Sequence, residues 1–148
     1  MKNVCLLCCE KVITDANGQT SLIGIIQGIK ISVVPQSETP ANAVVPNQWA
    51  VFAVWQTDAN EAGKEFVQMF HILWPNGSEF IKTPPLKFKP LHMRRAINYI
   101  PLHGMPVGQK GDLIVRSWVE DGAGIVMTEI IEYKILVEHE PLPVPTSA

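Results

Sequence analysis

No stretch of this 148-residue sequence approaches the ~18 consecutive apolar residues that a membrane-spanning helix needs. Behind Met1-Lys2, the run Asn3 to Cys9 imitates a signal peptide. It sits at the bottom of the usual ~7–15 residue apolar range, is interrupted by Glu10-Lys11, and meets no small-residue cleavage site. The expectation is a cytoplasmic protein with no membrane partner. Charge is scarce as well: 18% of residues are charged and the net charge is −2, so no global field draws in a polyanion, and nucleic acid is disfavoured as a partner. Three cysteines are too few and of the wrong parity for a disulfide-stapled fold, which agrees with a reducing compartment. Also missing are a G-x-S-x-G elbow, a P-loop, a G-x-G-x-x-G turn and any H-x-H or H-E-x-x-H pair, so no catalytic residue, metal ligand or cofactor is assigned.

What is abundant is apolar character, at 47% of residues. A chain of this length hides roughly two thirds of its extended surface on folding, enough for one core. Residues 1–139 read as one domain. The tail from Glu140 to Ala148, EPLPVPTSA, has proline at 141, 143 and 145 and reads as a mobile end unfit for a sheet interior. Prolines and glycines cut the domain into short runs rich in Val, Ile, Phe, Tyr and Trp. The runs are Val4 to Thr14, Ser21 to Val34, Gln48 to Thr57, Phe66 to Trp74, Ser78 to Thr83, His92 to Leu102, Asp112 to Glu120 and Ile125 to Glu138. Asn17-Gly18 predicts a hairpin after the first, because both residues tolerate positive φ. Gly24 and Gly28 predict a bulge within the second. WAVFAVWQT, residues 49–57, is apolar on both faces and suits a strand covered on both sides or central in a sandwich. Phe66, Met69, Phe70 and Leu73 also fit helical spacing, but nine residues between Gly63 and the turn Pro75-Asn76-Gly77 favour a strand. The expected fold is an all-β, antiparallel sandwich of about eight strands, Ig-like or jelly-roll-like.

The opening CEKVITDANGQTSLIGIIQGI, the later ILWPNG and the penultimate GDLIVRSWVEDG resemble a family of small single-domain bacterial proteins of unknown function that are β-sandwiches. The resemblance spans most of residues 3 to 138. It implies the fold and carries over no site residue.

Cys5, Cys8 and Cys9 raise the question of a metal or redox centre. In a strand, Cys5 and Cys9 share a face nearly ~14 Å apart while Cys8 points away, so they cannot grip one ion. No second C-x-x-C or histidine pair completes a zinc site, and the thiols read as small apolar filling. Of His71, His92, His103 and His139, the last is nearest to a site residue, beside Glu140, and is expected in solvent.

Charge is unevenly spread. Between Phe80 and Gly111 there is no acidic residue, whereas Lys82, Lys87, Lys89, Arg94, Arg95 and Lys110 are all basic. These residues read either as solvated strand faces pairing with the acidic stretch from Glu120 to Glu140, or as a binding patch for an acidic protein partner or anionic ligand. In the second case Lys82, Lys87, Lys89, Arg94 and Arg95 are the contact residues, held by the prolines of KTPPLKFKP. Among the tryptophans, Trp49 and Trp55 share a strand face and read as core. Trp118 shares the opposite face of its strand from Leu113, Val115 and Val119 with Ile114 and Arg116, and Ile114, Arg116 and Trp118 form a candidate contact for a homo-oligomer near a sheet edge. The functional expectation is a non-enzymatic binding or assembly module. The alternatives are a small-molecule or metal-dependent enzyme with a composite site, or a carbohydrate-binding sandwich that stacks sugars on exposed aromatics.

Overall fold

Asp15 accepts hydrogen bonds through one carboxylate oxygen from the backbone N–H groups of Asn17 and Gln19, both at 2.9 Å. Gly18, at φ 78°, turns the chain back. That loop closes the hairpin of β1 (Lys2–Thr14) and β2 (Thr20–Ile25), with Thr14 opposite Thr20. The computed structural model describes residues 1–34, 38–91 and 95–143. The remaining strands are β3 (Gly28–Val33), β4 (Val44–Gln56), β5 (Phe66–Leu73), β6 (Glu79–Lys82), β7 (Leu86–Phe88), β8 (Ala96–Pro106), β9 (Gly111–Asp121) and β10 (Ile131–Pro141). They form two packed sheets: sheet A in the order β2-β1-β4-β8, and sheet B in the order β3-β10-β9-β5-β6, with β7 also paired to β5. The protein is an all-β sandwich.

Ten strands replace the expected eight for two reasons. The run Ser21 to Val34 does not bulge within one strand. It breaks at Ile26-Gln27, and its halves join different sheets: β2 pairs with β1 in sheet A and β3 with β10 in sheet B. The crossover is pinned by the Ile26 N–H bonded to the Cys8 carbonyl (2.8 Å), the Tyr133 hydroxyl donating to the Ile26 carbonyl (2.7 Å) and the Leu136 N–H bonded to the Gln27 carbonyl (3.1 Å). Entering sheet B this way, β3 runs parallel to β10, so the pairing is not wholly antiparallel. The second reason is β7, three residues inside the proline-flanked PPLKFKP.

Further departures are local. β10 begins at Ile131 rather than Ile125, since residues 125–130 form only one bridge, between Val126 and Glu120. Its far end takes in Glu140 and Pro141, the first residues of the proline-rich tail, which lie opposite Ser32 and Val33 of β3 and beyond the reach of β9. Only β3 pairs there, so the absent proline N–H breaks no interior ladder.

The core follows strand alternation. Trp49, Val51, Ala53 and Trp55 of β4 face inward and are at most 1% exposed, as are Phe70 and Ile72 of β5 and Leu113, Val115, Ile135 and Val137 of β9 and β10. A fully buried polar pair, Gln68 and Ser117, interrupts this core. Gln68 donates to the Ser117 hydroxyl (2.9 Å), Ser117 donates to the Met69 carbonyl (2.8 Å), and Asn98 of sheet A donates to the Gln68 side-chain oxygen (2.7 Å). That chain of bonds satisfies the buried amide and ties the two sheets across the core.

Candidate binding surfaces

The residues that carry chemistry are engaged in structure. Cys8 faces inward opposite Val51, and burial pushes its thiol pKa far up, with Cys9 adding to the effect. Cys5 and Cys9 face outward opposite Val54 and Ala50, and burial raises both thiols. All three are free, and a raised thiol is a poor nucleophile and a poor ligand. His139 is half-buried rather than fully in solvent. It points inward from β10, and its Nε2 lies 2.6 Å from the Val107 carbonyl, so that nitrogen carries the proton and donates it. His71 sits on the outer face of sheet B with Nε2 3.3 Å from a Glu79 oxygen, outside hydrogen-bond alignment. The buried Glu61 accepts from the Asp58 N–H (2.7 Å) and lies 3.1 Å from the Met1 amino group. Among the described residues no three His, Cys, Asp or Glu side chains converge to hold a metal ion. His92 lies outside the described residues.

The basic segment is only partly assembled. Lys82 and Lys87 lie opposite His71 and Val67 of β5, on the outer face of sheet B, and Lys87 is 3.8 Å from Glu65. Lys89 and Arg95 are exposed and carry no ion pair among the described residues, while Arg94 lies outside them. Phe88 and Ala96 pack against one cluster, which brings the Lys89 and Arg95 ends of β7 and β8 together.

Ile114, Arg116 and Trp118 share the outer face of β9 and are half-buried. β9 is interior to sheet B, however, between β10 and β5, and β10 is itself covered by β3, so this surface is not near an edge. Arg116 donates to Glu132 (2.8 Å), the Trp118 indole donates to Glu120 (3.0 Å), and Lys30 lies near Glu138 and Glu140. This face is a mixed, ion-paired one. Trp49, Trp55 and Trp74 are at most 7% exposed, which leaves Trp118 as the tryptophan with accessible surface.

Sheet A presents the opposite character. On its outer face, cross-strand registers build three apolar rows: Cys5, Val54 and Ile97; then Leu7, Phe52 and Tyr99; then Ile25, Cys9, Ala50 and Pro101. Polar groups flank these rows, Lys2 and Gln56 on one side and Lys11, Gln48 and His103 on the other. The central side chains Phe52, Ala50 and Cys9 are already packed among their neighbours, at 7%, 4% and 0% exposure, while the flanking Ile25 and Ile97 expose 52% and 49%. Among the described residues no other strand packs on this face. The signal was present in WAVFAVW, apolar at even and odd positions alike. Periodicity cannot tell whether the second apolar face is covered by the same chain.

A second apolar feature lies at the open side of the sandwich. The β2-to-β3 crossover seals one side covalently. On the other, the β6–β7 connection faces the free edge of β8 across a groove of roughly 520 Å³ lined by Ile81, Pro84, Pro85, Leu86, Ile100 and Leu102, among others.

No family model matches the chain, and no curated protein matches its sequence. The resemblance carried by the strand and turn motifs therefore identifies no family; what stands is a small all-β protein of two packed sheets.

Proposed function

We propose that the chain is a non-enzymatic assembly module in which the outer face of sheet A packs against the same face of a second copy. The observation that carries this reading is the three apolar rows on a four-stranded sheet that no other strand covers among the described residues. At ~4.8 Å between strands and ~6.8 Å between alternate residues, the side chains of the three rows occupy roughly 330 Å² in projection. The largest apolar patch on a monomer is about 300–600 Å² and is often functional. With its polar ends added, the face has the make-up of one side of a protein interface, an apolar centre within a polar rim.

A second copy is the occupant this face fits. The rows contain no charged residue, so they select no oppositely charged partner. Their packed, flat centre suits sheet-on-sheet stacking, in which inner-face side chains interdigitate about 10 Å apart. A two-fold contact matches such a patch with itself. Engagement of Gln68, Ser117, Glu61 and His139 in structural bonds supports a scaffold rather than a catalyst.

Light scattering at tens of micromolar is the test, and the expected mass is twice that of the chain. Replacing Ile25 and Ile97 together by Lys places two charges on exposed positions of the face, and should give a monomer with an unchanged circular dichroism spectrum. Trp118→Glu should remain a dimer. A monomeric unmodified protein overturns the proposal. So does a double variant that stays dimeric, or dissociation by Trp118→Glu alone, which would move the contact to Ile114, Arg116 and Trp118 on sheet B.

A further inference from the structure

We infer that the groove between the β6–β7 connection and the edge of β8 takes an extended segment of a partner protein that carries a large apolar side chain flanked by acidic residues. This site is separate from the sheet A face and does not depend on the self-association proposed there.

The argument starts from the two walls. One is Ile81 to Leu86 with Pro84 and Pro85 at its centre; the other is Ile100 to His103 of β8. Nothing in the lining is acidic, and both walls belong to the stretch between Phe80 and Gly111 that contains no carboxylate. Ile81 and Leu86 turn inward to the groove, and the exposed Lys82 and Lys87 that follow them stand along the same rim on the outer face of sheet B. Towards the Ala96 end of β8 the same open side carries Lys89 and Arg95, neither paired among the described residues. A groove that is apolar inside and cationic at its margins matches an apolar anchor with acidic neighbours. Burial of the anchor supplies affinity, and the charges supply steering and selectivity.

The shape favours an extended segment over a compact ligand. β8 is an edge strand of eleven residues, and its free side borders the groove. Pro101 lacks an N–H and interrupts the edge at mid-groove, so strand addition along it is incomplete and the side-chain pocket must carry recognition. Pro84 and Pro85 hold the opposite wall with little conformational freedom to lose on binding.

The experiment uses the full chain and a random peptide library of about 12 residues, followed by fluorescence anisotropy with a labelled peptide from the enriched set. Enriched sequences should combine a Leu, Ile or Phe with nearby Asp or Glu. Binding of that peptide should weaken about tenfold or more on Lys82→Glu with Lys87→Glu, both exposed positions that leave the fold intact, and several-fold between about 50 and 500 mM NaCl. Leu86→Asp, checked for folding by circular dichroism, should abolish it. Absence of enrichment, enrichment without acidic residues, or affinity indifferent to the lysine reversal overturns the inference. Retained binding in the Ile25→Lys, Ile97→Lys variant is expected, and keeps this result distinct from the oligomerisation test.

Discussion

Cys8 and Cys9 are both inaccessible to solvent, yet their thiols meet different surroundings. Cys8 lies in the apolar core with Trp49 and Val51, and its sulfur makes no hydrogen bond among the described residues, whereas the Cys9 thiol donates to the Lys11 carbonyl at 3.4 Å. A serine at position 9 inherits that acceptor. At position 8 it buries a hydroxyl without one, at a cost of about 1–3 kcal/mol. Urea unfolding should therefore show Cys8→Ser clearly destabilised and Cys9→Ser close to the parent; the reverse order would contradict the assigned faces. The thiols also predict an alkaline limit. Burial raises the pKa of all three above the ordinary 9.0, and raises Tyr133 as well. Between the unfolded and folded values the native state holds more protons than the unfolded one, so stability is full below pH ~9 and falls as pH rises beyond it. Cys8→Ala should flatten that fall when stability is measured across pH 8 to pH 11, as order-of-magnitude bounds of the window. Strand alternation alone separates Cys8 from its neighbours. The Lys11 acceptor is invisible in sequence, because it depends on how the backbone turns after position 9.

At the scale of the element, the most consequential departure is the run from Ser21 to Val34. Glycines at 24 and 28 mark irregularity, but a bulge and a change of sheet share that signal. What decides between them is long-range: Tyr133, more than a hundred residues away, donates to the Ile26 carbonyl at the crossover. Tyr133→Phe keeps the ring in the core and removes only that bond, so a loss of about 1 kcal/mol is expected. Amide exchange should accelerate at Gln27 and through β3 more than in β5. Uniform acceleration would mean that the hydroxyl does not hold the crossover. The connection before β4 is fixed by an equally long-range contact. Gly108 passes so close to residues 40–43 that an added Cβ would come within 2.3 Å of the Pro40 carbonyl oxygen, while the Val107 and Gly108 N–H groups both bond to the Ala43 carbonyl. Gly108→Ala should therefore cost about 1–3 kcal/mol through a forced backbone shift.

For the whole molecule, the strands and the sandwich were legible because turn residues bound the apolar runs and the closing strands carry a clear period, as in Ile131, Tyr133, Ile135 and Val137 against Glu132, Lys134 and Glu138. The candidate surfaces were less so. The even-numbered residues of β4 look like core in sequence, and Trp118 looks exposed near an edge; only sheet order shows that Phe52 and Ala50 face outward and that β9 is interior. If the sheet A face is buried between two copies, folding and assembly share one free energy, and stability must depend on protein concentration. For a dimer that melts directly to two unfolded chains, a tenfold rise in concentration adds about 1.4 kcal/mol per dimer. Spread over the unfolding entropy of two chains of this length, that raises Tm by about 2 °C. Scanning calorimetry from about 1 to about 100 micromolar should show this slope in the unmodified protein and in Trp118→Glu, and none in the Ile25→Lys, Ile97→Lys variant. The double variant should also melt lower than the parent at the top of the range and nearest to it at the bottom, because its loss lies in the contact and not in the core. A flat Tm in the unmodified protein would place the three apolar rows in water, and the assembly reading would fall with them.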